Sequence, residues 1–327
     1  MGVFVDVIWR PVQLRSNLRG KGSTNSAPVS QKRVLVTGGT GFIGGELVRA
    51  LCASGATVTA LVRSPTTVFA PGVRVVPWSQ CSEAVAGQDA VVHLAGEQAV
   101  GVRWTESAKQ RITASRVDTT RQLVAALAAA RPRPGVLVSA SAVGYYGARA
   151  GDEALDETSS PGSDFLARVC QAWEAAALAA QELGVRVVVA RLGVVFDRGG
   201  GALEAMVTPF RMFAGGPIGS GEQVVSWVHR ADVVGMVRRC IEDPALSGPV
   251  NVVAPGAVTQ AELARAIGRV LGRPAWLRVP ALALRARFGE GADPLLTGQR
   301  AVPEKMRAAG YVWQHPDLEA ALGAVLG

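Results

Sequence analysis

Residues 34–52 hold the feature that most constrains what this chain can fold into. A short apolar, β-branched run over 34–36 meets the turn Thr37-Gly38-Gly39-Thr40-Gly41-Phe42-Ile43-Gly44, and an apolar helical pattern continues through Cys52. The spacing is G-x-x-G-x-x-G, placed directly between a strand and a helix. Gly38 permits the tight turn, Gly41 lets a pyrophosphate approach the backbone, and Gly44 lets the helix pack close to the sheet. In that context the turn predicts a dinucleotide site, with contacts from Gly38, Thr40, Gly41, Phe42, Ile43 and Gly44.

The rest of the chain agrees with such a start. Short, continuously apolar runs recur at 57–62, 73–76, 90–94, 136–139 and 185–190, and long helical patterns fill 106–130 and 165–183. Apolar strands alternating with helices imply a parallel sheet buried on both faces. The predicted class is therefore α/β, a Rossmann-type doubly wound parallel sheet with a smaller C-terminal, substrate-side domain. The dinucleotide domain is expected over 33–196, with strand and helix contributions returning from about 224–253. From 197 to 327 the character shifts: glycine-rich loops at 197–201 and 214–221, a strand near 249–253, a helix at 260–271, then short helices and turns led by Pro274, Pro280, Pro294, Pro303 and Pro316. No internal repeat is visible.

Composition excludes several functions. The formal charge of +8 suggests a nucleic-acid partner, but its distribution does not. Residues 1–33 carry Arg10, Arg15, Arg19, Lys21, Lys32 and Arg33 against Asp6 alone, which leaves the body only mildly basic and without a basic run interleaved with aromatics. No stretch nears the roughly 18 apolar residues of a membrane span. Cys52, Cys81, Cys170 and Cys240 lie far apart, with no CxxC and no histidine at ligand spacing, so they read as core thiols in a reducing compartment and not as a metal site. Residues 1–32 lack the apolar core of a secretory signal. They read as a disordered extension or, alternatively, an organelle-targeting segment, and the expected location is cytoplasmic.

The end of the second strand selects the cofactor. An acidic residue there would favour NAD, whereas this chain has Leu61-Val62-Arg63-Ser64. An arginine beside a hydroxyl suits a 2′-phosphate, so the expected cofactor is NADP(H), held by Arg63 and Ser64. Leu94, Ala95 and Gly96, directly after the fourth strand, are expected at the same cofactor edge.

Further motifs follow in order: His93-Leu94-Ala95-Gly96-Glu97, Arg103-Trp104, Ser115-Arg116, Ser139-Ala140-Ser141-Ala142-Val143-Gly144-Tyr145-Tyr146-Gly147, Phe165-Leu166-Ala167 with Trp173-Glu174, the 215–221 loop, Ser226-Trp227-Val228-His229 with Asp232, and Asn251-Val252-Val253-Ala254-Pro255. With these the chain from residue 33 to the end resembles the YfcH-like epimerase family proteins. They are an atypical branch of the extended short-chain dehydrogenase/reductases, in the NAD-dependent epimerase/dehydratase group. The closing segment, from Arg273-Pro274 through Pro303-Glu304-Lys305, looks like that branch's own C-terminal domain.

The resemblance implies a hydroxyl near the end of the fifth strand and a Tyr-x-x-x-Lys pair on one helical face, where lysine lowers the tyrosine pKa. No Tyr-x-x-x-Lys occurs: the three tyrosines, Tyr145, Tyr146 and Tyr311, are followed four residues on by Arg149, Ala150 and His315. At the corresponding helix stand Phe165 with Val169, or Leu166 with Cys170. Ser141 or Ala142 fills the hydroxyl slot. The candidate catalytic residues are Ser141, Tyr145, Tyr146 and Glu97; Asp152, Glu153, Asp156 and Glu157 read as a solvated acidic loop. Arg103, Arg111 and Arg116 suit an anionic substrate or ordinary surface pairing. His229 and Asp232 read as structural, Asp232 as a helix cap. Two functions stay open: an NADP(H)-dependent oxidoreductase or nucleotide-sugar epimerase-like enzyme, and a catalytically silent NADP(H)-sensing or scaffold protein, for which the resemblance offers a link to cell division. The expected partner is a small-molecule substrate, with neither nucleic acid nor membrane; a homodimer is the remaining option.

Overall fold

A computed structural model describes residues 32–64, 69–149 and 153–327. Except for Lys32, the extension expected over 1–32 lies outside the described residues, as does Asp152 of the acidic loop.

The chain runs β1 (Arg33–Thr37), α1 (Phe42–Ala53), β2 (Thr57–Val62), β3 (Arg74–Pro77), α2 (Cys81–Val85), β4 (Ala90–His93), α3 (Glu106–Ala129), β5 (Val136–Ala142), β6 (Ala154–Leu155), α4 (Phe165–Leu178) and β7 (Arg186–Leu192). It continues through β8 (Val194–Phe196), α5 (Gly201–Arg211), β9 (Val224–Val225), β10 (Trp227–His229), α6 (Arg230–Glu242), β11 (Gly248–Val252), β12 (Val258–Thr259) and α7 (Gln260–Leu271). The last elements are α8 (Ala281–Phe288), α9 (Asp293–Leu296), β13 (Arg300–Ala301), α10 (Glu304–Ala308) and α11 (Leu318–Leu326).

Seven parallel strands form the central sheet in the order β11-β7-β5-β4-β1-β2-β3. Strand order reverses between β1 and β4, which opens a crevice at their carboxyl ends where ligands bind in sheets of this kind. Each strand is apolar on both sides because both faces are covered. Val34, Val36, Val92, Val138 and Val188 pack with α1 and α6 on one face; Leu35, Val91, Leu137, Val187 and Val189 pack with α2, α3 and α4 on the other. Each such side chain taken fully from water contributes roughly 1.5–3 kcal/mol.

A third core joins α5, α7 and α11 through Leu203, Val207, Leu263, Ile267, Leu322 and Trp227, the last stacked on Phe196 at 5.8 Å. The C-terminal segment is fastened to the sheet domain by a buried carboxylate. Asp232 accepts from Tyr311 Oη at 3.1 Å, from the Gln314 amide at 2.7 Å and from the His315 amide at 2.9 Å. The expected helix cap is therefore not Asp232: the His229 imidazole Nδ1 caps α6, accepting the Ala231 amide at 3.1 Å. The carboxylate, one turn further in, points away from its own helix end. Among the described residues no helix is long and apolar enough to cross a membrane, and no cluster of three metal-ligating side chains occurs.

Candidate active site

The glycine turn is shaped by close backbone approach. Gly38 has φ +70°, and a Cβ there would stand 2.7 Å from the Leu94 carbonyl carbon; one on Gly44 would overlap the Gly38 carbonyl oxygen. Gly44 thus serves the contact between the helix start and the turn itself, tighter than the expected helix-to-sheet approach. Gly41, exposed, meets only the Gly38 oxygen at 3.2 Å, which leaves the outer face of the turn open. No side chain caps α1 and no acid occupies its first turn, so its amides and positive dipole end face outward. Thr40 is exposed and Ile43 half-buried. The Phe42 ring turns away, under the Arg230 guanidinium at 4.5 Å and against Gly200 and Gly201. Arg63 and Ser64 are exposed at the end of β2, and Arg63 makes no ion pair among the described residues. Leu94 and Ala95 are half-buried behind the turn, and Gly96 is exposed.

Two polar rows cross the carboxyl edge of the sheet. In the first, parallel register sets Thr37 beside His93 and His93 beside Ser139. Thr120 spends its proton on the Arg116 carbonyl at 2.6 Å, so it accepts from His93 Nε2 at 2.9 Å. His93 Nδ1 then accepts from Thr37 at 2.7 Å, and Thr37 Oγ1 accepts the Ala95 amide at 3.3 Å. This neutral tautomer is held because burial pushes the imidazole down to about 4.

In the second row Ser141 is in register with Arg191, and Arg191 with Asn251. Arg191 forms a two-pronged pair with Glu174, Nε to Oε1 and Nη2 to Oε2, both at 2.9 Å. Ser141 gives its one hydroxyl proton to Glu174 at 2.7 Å. Tyr146 is fully buried, with its hydroxyl 2.7 Å from Asn251 Oδ1, 2.8 Å from the Asp156 carbonyl and 3.0 Å from Arg191 Nη1. Burial outweighs the Arg191 cation and pushes this phenol up to about 12. Glu157, expected on a solvated loop, is instead buried and takes the Asn251 amide at 3.0 Å.

The remaining sequence candidates fall in different places. Tyr145 is half-buried, its ring face 3.5 Å from the Arg191 guanidinium, and its hydroxyl makes no hydrogen bond among the described residues. Glu97 is exposed and paired with Arg111 at 3.2 Å. Val169 and Cys170 are buried; burial pushes the Cys170 thiol up to about 12. Trp104 packs edge-on against Phe165 at 4.9 Å. Sequence reading passed over Arg191, although an arginine inside the apolar run VVVARL is a signal: buried on both faces, it must find a carboxylate.

A model of the NAD dependent epimerase/dehydratase family matches residues 34–254, and one for a domain of unknown function, DUF1731, matches residues 279–325. The chain belongs to the NAD dependent epimerase/dehydratase family. Its relatives include the epimerase family protein SDR39U1 homolog, chloroplastic, of Arabidopsis thaliana, 41% identical over 312 residues that span 92% of this chain and 89% of the relative. Among solved structures, human epimerase family protein SDR39U1 (isoform 2) with NADPH is 38% identical with a TM-score of 0.81, over 90% of this chain and 98% of that one. The nucleoside-diphosphate sugar epimerase from Corynebacterium glutamicum is 34% identical with a TM-score of 0.73, over 92% of this chain and 59% of that one. The resemblance read from the sequence, including its separate C-terminal domain, holds.

In this family member the Tyr146 hydroxyl serves a buried polar junction. Tyr146→Phe is expected to cost about 1–3 kcal/mol, because Asn251 and Arg191 lose a buried partner, and to leave cofactor affinity unchanged. Urea unfolding beside a cofactor titration measures both; lost cofactor affinity at unchanged stability would count against it.

Proposed function

We propose that the protein is an NADP(H)-dependent oxidoreductase or epimerase-like enzyme acting on a small carbonyl or alcohol substrate. The observation that carries this reading is the open, uncapped glycine turn with Arg63, which has no ion pair among the described residues, at the neighbouring strand end. Its fit to the cofactor is specific. The α1 amides suit a pyrophosphate, and Arg63 with Ser64 suits a 2′-phosphate. The match to a human relative solved with NADPH supports the same choice. When bound, NADP(H) supplies the hydride donor or acceptor.

The chain's own residues supply the rest. Tyr145, on the turn after β5, keeps a hydroxyl free of partners among the described residues and exchanges the proton at the substrate oxygen. The Ser141–Glu174–Arg191 network holds that turn in place through the guanidinium under the Tyr145 ring. A silent, cofactor-sensing role is the second reading. It is favoured by the burial of Ser141, Tyr146 and Cys170, which leaves few groups able to react.

Titration with NADPH, NADP⁺, NADH and NAD⁺ tests the cofactor. Arg63→Glu should weaken NADPH binding by about 10- to 100-fold, the worth of one charge-assisted contact plus repulsion, and hardly change NADH binding. Equal loss for both would reject the 2′-phosphate role. Turnover of a carbonyl panel, abolished in Tyr145→Phe, separates the enzyme from the silent reading.

A further inference from the structure

Arg116 stands apart from the other cations of its stretch. Arg111 pairs with Glu97 at 3.2 Å, Lys109 with Glu290 at 2.7 Å and Arg121 with Asp118 at 3.5 Å, while Arg103 is exposed to solvent. Arg116 is half-buried and forms no ion pair among the described residues. Its Nη1 donates to the Ile112 carbonyl at 3.2 Å and to Ser115 Oγ at 3.4 Å, both on its own helix. A guanidinium carries five donors. Those on Nε and Nη2 meet no acceptor among the described residues.

The position is as telling as the missing partner. Cζ lies 5.3 Å from the Trp173 ring centroid, and a Cβ on Gly96 would stand 3.4 Å from Cζ and 3.6 Å from Nη2. The charge is thus held between the loop after β4 and the α4 tryptophan, at the carboxyl edge of the sheet. Trp173 is 5% exposed, and its Nε1 is a buried donor without an acceptor among the described residues. Burial lowers the Arg116 pKa, with the fields of Cys170 and Glu97 opposing. A half-buried cation with donors to spare, beside a buried donor that lacks an acceptor, is a place where an arriving anion gains bonds from both.

We propose that Arg116 is the anion-binding residue of the substrate pocket, so that the substrate carries a carboxylate or phosphate beside its reacting carbon. This rests on the NADP(H) reading. A planar fork on a tryptophan face favours two-pronged binding of such a group, and small anionic carbonyl compounds or their alcohols are the substrate class.

The test uses the full chain saturated with NADPH and two probes, oxamate and inorganic phosphate. Binding is followed by tryptophan fluorescence and thermal shift. Wild type should bind one of the two saturably; oxamate marks a carboxylate and phosphate a phosphoryl substrate. Arg116→Gln should weaken that binding at least tenfold, Arg111→Gln should not, and Arg116→Lys should retain part of it even if the glutamine variant fails to fold. The assignment is overturned if neither probe binds wild type, if Arg116→Gln binds as well as wild type, or if Arg116→Gln loses NADPH affinity tenfold, which would give the arginine to the cofactor phosphates. Failure of the cofactor reading shows separately, as no NADPH binding by wild type, and takes this assignment with it.

Discussion

Glu174→Ala should cost about 3–5 kcal/mol of stability, the penalty of leaving a buried guanidinium without its carboxylate. The side chains of Arg191 and Glu174 are 2% and 5% exposed, so water cannot replace the lost partner without opening the sheet edge. Burial opposes the Arg191 cation, yet the bonds and field of Glu174, with Tyr146, hold its pKa above the usual value. The arginine cannot shed its proton to escape. In thermal unfolding the loss should appear as a Tm drop on the order of 10 °C. The double variant Glu174→Met with Arg191→Met should be milder than Glu174→Ala, because removing both charges removes the desolvation burden along with the attraction. Recovery stays incomplete, since Ser141 loses its acceptor. A single-variant loss below about 1 kcal/mol, or a double variant worse than the single, would mean that the pair is not what closes this edge.

The parts of this molecule readable from sequence are those coded locally. The glycine spacing at 38, 41 and 44 follows from backbone geometry within one turn, and the apolar runs of β1, β2, β4, β5 and β7 follow from burial on both faces. The polar rows are different. Glu174 and Arg191 lie 17 residues apart on a helix and a strand, and Tyr146 reaches Asn251 across 105 positions. Only parallel register brings Ser141, Arg191 and Asn251 into line. Ser141 and Tyr146 were legible as polar groups at and just after the end of the fifth strand, but their partners were not, so commitment to a buried network could not be told from readiness to react. Asp232 misled in the same way: three residues after His229 it reads as a cap, whereas its ligands come from residues 311–315.

His93 should give the protein an acid limb of about 3 kcal/mol that owes nothing to carboxylates. In the unfolded chain an imidazole takes up its proton as pH falls through about 6.5; in the folded protein burial delays uptake to about 4. Between those values the unfolded state binds more protons, so stability falls as pH falls. The contribution is whole above about 6.5, declines below it, and is gone below about 4. His93→Asn cannot titrate. It should be less stable than wild type at neutral pH, because the bonds to Thr37 and Thr120 are disturbed, and its stability should decline less on acidification. Urea unfolding of both proteins from pH 7.5 to 4 measures the difference, in which the carboxylates common to both cancel. A gap that narrows by about 3 kcal/mol on that path matches a histidine kept neutral by the fold; parallel curves would mean that water or a carboxylate reaches the ring. The ring ties the end of β1 to the end of β4 and to α3, behind the turn that meets the cofactor. Protonating it in the folded protein, which begins only as pH nears about 4, loosens the cofactor edge, so NADPH affinity should hold on acidification from about pH 7.5 and weaken only close to that value.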